Sequence, residues 1–370
     1  MLSYCKIKNR GGNHFGLNAL RVIAMLMVCL LHTIYPQNPQ DSYYNFLMCL
    51  LHSIAVAGVN LFVLITGFFL VEKRWSFLRY ARLWWLVAFY SISIVLLFYI
   101  LDKTGVISGI YDFGLARYYI AQILFGSSYW FFAAYSALYL IIPFLNKAVA
   151  AMEQRMHFVM ILVTAGVIPI MNMMCFGALY GGGNVFVWFI VLYFIGAYIR
   201  KYAVSIKVPC SVLLMMIAVC ILIPTVIKAF VDSAWILNAV GGLSSPFVVL
   251  YSVSLFVLFS CWESCKFATF AKILSVLSSL TFGVYLVHVH PFAFNWLLEQ
   301  IEIWYKDWGY NYYAPIVVAL CVYLGCSVIE WGRNVLFHLL HLDMLFDRIS
   351  MEVETRCLKM IDKVNIFKRL

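Results

Sequence analysis

The chain has 370 residues, 65% of them hydrophobic and only 11% charged, with a formal net charge of +10 and a mean hydropathy of +0.92. A soluble protein carries roughly 25% charged residues, and no water-soluble fold of this length has the core volume to hide so much apolar surface, so the bilayer must be the solvent for most of the chain. The basic excess lies in short clusters between apolar runs, which is a membrane-topology pattern and excludes nucleic acid as a partner.

A membrane-spanning helix takes about 20 apolar residues. Ten such stretches are predicted, at 16–35, 46–71, 83–101, 129–147, 157–176, 184–200, 211–230, 242–262, 273–292 and 313–333. The basic start, Met1 to Gly12, precedes an apolar run too long for a cleaved signal, so this run is read as a retained first span. The segment 110–128 is expected to be a short interfacial or re-entrant piece. Gly181–Gly183 is read as a flexible outer turn. With the N-terminus placed inside, 22 of the 26 lysines and arginines fall on the cytoplasmic side, and Lys103, Arg117, Lys228 and Lys306 fall outside. That asymmetry fixes both termini as cytoplasmic and favours an even number of spans. The expected fold is an all-α polytopic bundle of about ten transmembrane helices, multi-pass in the plasma or inner membrane. Residues 1–342 form the membrane domain and 343–370 a short cytoplasmic tail, whose mixed charged and apolar residues suit an interfacial helix. The 11 cysteines lie mostly within apolar runs and form no CxxC pair, so neither a metal nor a redox centre is expected.

Chemistry-bearing residues stand out against this background because ionisable groups inside a membrane are costly. Arg21 and His32 lie eleven residues apart in the first span. Eleven helical steps return to within about 20° of the same face and climb about 16 Å. One face thus presents a cation near the cytoplasmic side and an imidazole near the outer side. The plain alternatives are a snorkelling anchor for Arg21 and a water-satisfied interfacial histidine for His32. Arg79 and Arg82 share a helix face, and paired guanidiniums match phosphate oxygens; ordinary topology anchors, like Lys73 and Arg74, would look the same. Asn60 and Thr66 are polar within the second span, where interhelical hydrogen bonding and substrate binding are both open, and Gly67 allows close packing. Trp130 lies at an interface, as a belt anchor or a sugar-stacking platform.

In this order, Arg21-x10-His32, the run NLFVLITGFFL, Arg79-x-x-Arg82, YWFFAAYSALYLIIP from Tyr129 and FGVYLVH ending at His288, the sequence resembles the acyltransferase family three of membrane proteins over roughly residues 16–335. Family members commonly carry LSGF where this chain has Ile65-Thr66-Gly67-Phe68. The resemblance implies O-acetylation, or other O-acylation, of cell-envelope glycans from cytoplasmic acyl-CoA, which is a donor substrate and not a resident cofactor. It implies that His32 is catalytic, that Arg79 and Arg82 serve the CoA phosphates, and that Arg21 belongs to the donor tunnel.

A neutral His32 would act as general base on a sugar hydroxyl or as the nucleophile that first takes the acyl group. Such a histidine needs an orienting partner. Asp41 is the nearest acid in sequence, with a solvated loop acid as its plain reading. His288 and His290, at the outer end of the ninth span, are candidates to donate to the oxyanion or hold the acceptor, and His288 fits the family pattern. Glu330 and Arg333 read as an ion pair closing the last span. A transporter or flippase of glycan or lipid-linked intermediates is the competing class, but no internal repeat or pair of broken helices supports it.

Overall fold

The computed structural model describes residues 15–34, 41–122, 129–174, 183–202, 208–231, 233–262, 267–308 and 311–364. The basic start, the end of the 110–128 piece, Gly181 and Gly182 lie outside the described residues. Every element among them is an α-helix. In chain order these are α1 (Phe15–Thr33), α2 (Ser42–Ala55), α3 (Gly58–Leu70), α4 (Phe77–Lys103), α5 (Phe113–Ala121), α6 (Trp130–Ala151), α7 (Gln154–Met174) and α8 (Gly183–Tyr202). The second half comprises α9 (Cys210–Phe230), α10 (Ala234–Gly241), α11 (Pro246–Ser260), α12 (Ala268–Val289), α13 (Pro291–Trp308), α14 (Ala314–Leu339) and α15 (Leu342–Val364).

Nine helical spans among the described residues are long and apolar enough to cross a membrane, and the stretch expected at 157–176 contributes a shorter apolar helix, Gln154–Ile170. The protein is an all-α polytopic bundle, as its composition requires. Three features add to the sequence reading or depart from it. The second stretch is not one helix: it breaks between α2 and α3, where the Tyr251 hydroxyl donates to the Ile54 carbonyl at 3.3 Å. At the restart, a Cβ on Gly58 would lie 2.7 Å from the Ala24 carbonyl oxygen, so α3 docks directly on the backbone of α1. The 110–128 piece contains the short helix α5, started by Asp112, whose side chain accepts from the Leu115 N–H at 2.7 Å. The outer segment before the last span is the helix α13, whose Leu297 and Ile301 bury against Ala314 and Val318 of α14.

α1 is the centre of the bundle, packed against α2, α3, α11, α12 and α14. α3 and α8 approach through reciprocal glycines: a Cβ on Gly67 would run into the Tyr193 carbonyl, and one on Gly196 into that of Leu64. Small residues permit such backbone contact inside a membrane. On the other side, Glu330 of α14 is buried at 2% exposure. It accepts from the Tyr90 hydroxyl of α4 at 2.6 Å and from the Arg333 guanidinium at 3.2 and 2.5 Å. Gly283 of α12 makes room for that carboxylate. A buried charge satisfied on several sides holds one geometry, so this cluster fixes α12 relative to α4 and α14. The tail helix α15 lies along α4, with Phe346 stacked on Trp85 at 4.6 Å and 12°.

Candidate functional site

Arg21 and His32 line the same cavity, of about 700 Å³. This is a volume suited to an organic ligand, and the shared helix face expected from their spacing opens onto it.

At one end of the cavity, Arg21 donates to Asn18 Oδ1 at 3.2 Å, and Ser278 of α12 donates to the same oxygen at 3.3 Å. The Arg21 guanidinium lies 5.1 Å from the centroid of the Phe69 ring, and the Lys73 ammonium lies 5.7 Å from it. The aromatic face satisfies part of each cation's electrostatic demand. Among the described residues no carboxylate forms an ion pair with Arg21 or Lys73. This mouth is therefore a two-cation patch open to an anion. The cavity then passes between apolar side chains, including Met25, Val28, Val59 and Ile65.

His32 stands at the far end with Trp130, Phe131 and Tyr285. Its Nδ1 lies 3.2 Å from Nε2 of His288, and Nδ1 of His288 lies 2.6 Å from the Val284 carbonyl. A carbonyl only accepts, so His288 Nδ1 carries the hydrogen and, in neutral His288, Nε2 is a lone pair. His32 Nδ1–H must then donate to it. The chain of bonds leaves His32 Nε2 unprotonated. The ring of Phe294 packs edge-on against His32 at 5.2 Å, which restricts its rotation.

The remaining sequence candidates fall elsewhere. Asp41 is the N-cap of α2: one oxygen accepts from the Tyr44 N–H at 2.9 Å and the other from the Tyr312 hydroxyl at 2.9 Å. Those two donors hold its carboxyl below the usual carboxylate range, and the group beside His32 is His288, not Asp41. Asn60 is wholly buried outside the cavity lining. Its amide donates to the Leu243 carbonyl at 2.8 Å and accepts from Trp188 Nε1 at 3.2 Å, so it pins α3 to α8 and to the segment before α11. His290 caps α12 and is buried beside Tyr119, Tyr129 and Phe292, away from the cavity lining. Trp130 is 46% exposed and lines the His32 end.

Arg79 and Arg82 lie exposed at the start of α4, beyond the cavity lining. Arg79 donates to the Arg74 carbonyl at 3.0 Å. Arg82 donates through two nitrogens to Asp347 of α15, at 2.8 and 2.6 Å. The guanidinium pair expected to hold phosphate is therefore divided, with one member ion-paired to the tail while still exposed.

Lys73, Asn18 and Tyr285 were not distinguished as site residues by sequence. Lys73 carried a recognisable signal, since it follows the span that bears Asn60 and Gly67 by one helical turn. Asn18 lies one turn before Arg21, on the same face. Tyr285 carried none beyond its place in FGVYLVH.

A family model described as Acyltransferase domain matches residues 14–331. Comparison with curated proteins found no match, and comparison with solved structures found none either.

Proposed function

Because this chain belongs to the acyltransferase family three, whose model spans residues 14–331, we propose that it transfers an acyl group, acetyl above all, from cytoplasmic acyl-CoA to a hydroxyl of a cell-surface or exported glycan. The observation that carries the reading is the single cavity with Arg21 and Lys73 at one mouth and His32 at the other end.

The anionic nucleotide of the donor binds at the cytoplasmic mouth, where Arg21 and Lys73 lack carboxylate partners and Arg79 stands exposed nearby. Arg82 joins when Asp347 lets go. The pantetheine arm is long, thin and nearly neutral, which matches an apolar passage of about 16 Å by helix rise. Its thioester reaches His32. The acceptor sugar enters from the opposite side and stacks on Trp130, whose partial exposure suits that role.

His32 Nε2 takes the proton of the sugar hydroxyl as its oxygen attacks the thioester carbonyl carbon. The imidazolium so formed keeps its Nδ1–H bond to His288 and returns the proton to the departing sulfur. The bond chain that frees Nε2 supports general-base action, with His288 as the orienting group in place of Asp41.

His32→Ala tests the reading. Purified protein supplied with acetyl-CoA and saccharide acceptor is expected to release CoA, and the variant to release none above background while unfolding at an unchanged temperature. Full transfer by the variant would remove His32 from the chemistry. Absence of any thioester turnover in the native protein would favour a transporter.

A further inference from the structure

Tyr135 of α6 lines the cavity between its two ends. Its ring stacks on that of Phe131 at 6.0 Å and 22°. Phe131 stands at the His32 end, and one turn of α6 carries Tyr135 about 6 Å from it towards the cytoplasmic side. From that side the Arg21 and Arg79 guanidiniums act on the Tyr135 hydroxyl through space. The residue therefore lies on the path from the cation mouth to His32.

Most hydroxyls along this path are committed within the fold. Ser278 donates to Asn18 Oδ1 at 3.3 Å, Ser279 to the Val276 carbonyl at 2.7 Å and Thr281 to the Ser278 carbonyl at 3.0 Å. Tyr135 differs. Its side chain is only partly buried and its hydroxyl is not enclosed, so the surface it keeps belongs to the cavity it lines. Its polar neighbour is the Thr66 hydroxyl. The Thr66 hydrogen goes to the Phe62 carbonyl at 2.9 Å, so within that pair Tyr135 is the donor. The Tyr135 oxygen then keeps a lone pair for a further donor. Inside a bilayer no bulk water supplies one.

We propose that Tyr135 is a donor-binding residue: its oxygen accepts an amide N–H of the pantetheine arm when the acyl thioester lies between the Arg21 mouth and His32. This rests on the acyl-transfer reading above. The arm alternates amides with methylene groups. The cavity offers a matching sequence, with apolar walls from Met25, Val28, Phe62 and Ile65 and the Tyr135 oxygen part-way along. An amide drawn into an apolar passage without a partner is costly, and Tyr135 removes that cost. A lipid chain entering the same cavity has no N–H to give, so it leaves the Tyr135 oxygen unpaired. The residue thereby selects a pantetheine thioester over a fatty chain, in addition to the selection for negative charge at the mouth.

Tyr135→Phe removes the oxygen and keeps the ring. The KM for acetyl-CoA is expected to rise about three- to tenfold, as loss of one neutral hydrogen bond requires, with kcat within about twofold of native. Pantetheine, which lacks the nucleotide, is expected to compete with acetyl-CoA on the native protein, and its inhibition constant to rise by the same factor in the variant. A purely structural role would not weaken both ligands equally while sparing kcat. Should Tyr135→Phe fold poorly, 3,5-difluorotyrosine placed at position 135 decides the matter. It keeps the shape and the hydroxyl but makes the oxygen a poorer acceptor, so the donor KM is expected to rise. An unchanged or lower KM there overturns the assignment. So does a native-like KM in Tyr135→Phe, a rise confined to acetyl-CoA, or no competition by pantetheine with the native protein, and each leaves acyl transfer standing. Failure of the native protein to release CoA with any saccharide overturns the acyl-transfer reading itself.

Discussion

Replacing His288 with leucine removes the acceptor of the His32 Nδ1–H bond and leaves an apolar side chain of similar bulk. The Val284 carbonyl, which His288 Nδ1 approaches at 2.6 Å, keeps its backbone helical bond, so the loss falls on His32 more than on the fold. In the resting protein two neutral hydrogen bonds are lost, the one to His32 and the one to Val284, which costs about 1–3 kcal/mol of stability. In the transition state His32 is cationic, and the bond to His288 at 3.2 Å becomes charge-assisted. Such bonds contribute about 1.5–3 kcal/mol, which corresponds to about 10–150-fold in rate. CoA release measured with a thiol reagent, against saccharide at saturating acetyl-CoA, is expected to show that fall in kcat. His288→Gln, whose amide oxygen can accept from His32, is expected to recover part of it. A kcat for His288→Leu within about twofold of native, with His32→Ala inactive, would refute the orienting role.

The paired substitution Arg79→Ala and Arg82→Ala is expected to raise the KM for acetyl-CoA about tenfold or more, as loss of charge-assisted phosphate contacts requires, and to leave the KM for acceptor unchanged; equal donor affinity would remove both from the phosphate site. Asp347→Asn frees the Arg82 guanidinium and is expected to lower the donor KM, measured by the same assay. The Arg82 guanidinium also holds the Asp347 carboxyl below the usual carboxylate range. Its contribution to docking of α15 is therefore fully present above the unfolded value of about 3.9 and is lost as pH falls through the lower folded value. Distances between spin labels on α4 and α15 should stay constant from pH 8 to pH 5 and lengthen only under stronger acid. Gly67→Ala places a methyl against the Tyr193 carbonyl, so it is expected to cost about 1–3 kcal/mol as overpacking and to lower the unfolding temperature; an unchanged temperature would show that α3 and α8 are free to separate.

The bundle was legible in the sequence because apolar length is a direct physical requirement of the bilayer, and each of the ten stretches appears as helix. The shared face of Arg21 and His32 was legible because helical period alone puts residues eleven apart in line. The break before Gly58 was not, since residues 46–71 hold no proline and no charged lysine, arginine or carboxylate to interrupt the run, and α3 restarts where it docks against Ala24 of α1, a contact between segments. α13 was missed because its glutamates and lysine look like a loop, while its apolar residues find cover only on α14. Asp41 was readable as a helix start, with Asp-Ser-Tyr-Tyr ahead of an apolar run. Choosing it by nearness in sequence gave the orienting role to the wrong group: His288, which the sequence offers as an oxyanion donor or acceptor holder, lies 256 residues from His32 and becomes its neighbour only through the packing of α1 on α12. The division of Arg79 from Arg82 depends on a carboxylate 265 residues away, which no local pattern announces.

The central claim is that a thioester enters at the Arg21 mouth and reacts with an alcohol presented at the His32 end. It is tested most directly in proteoliposomes with the protein oriented one way, radiolabelled acetyl-CoA on one side and saccharide acceptor on the other. Labelled saccharide is predicted only when acetyl-CoA is on the Arg21 side and the acceptor opposite. Label appearing only when both reactants share a side, or equally from either side, would contradict passage through this cavity.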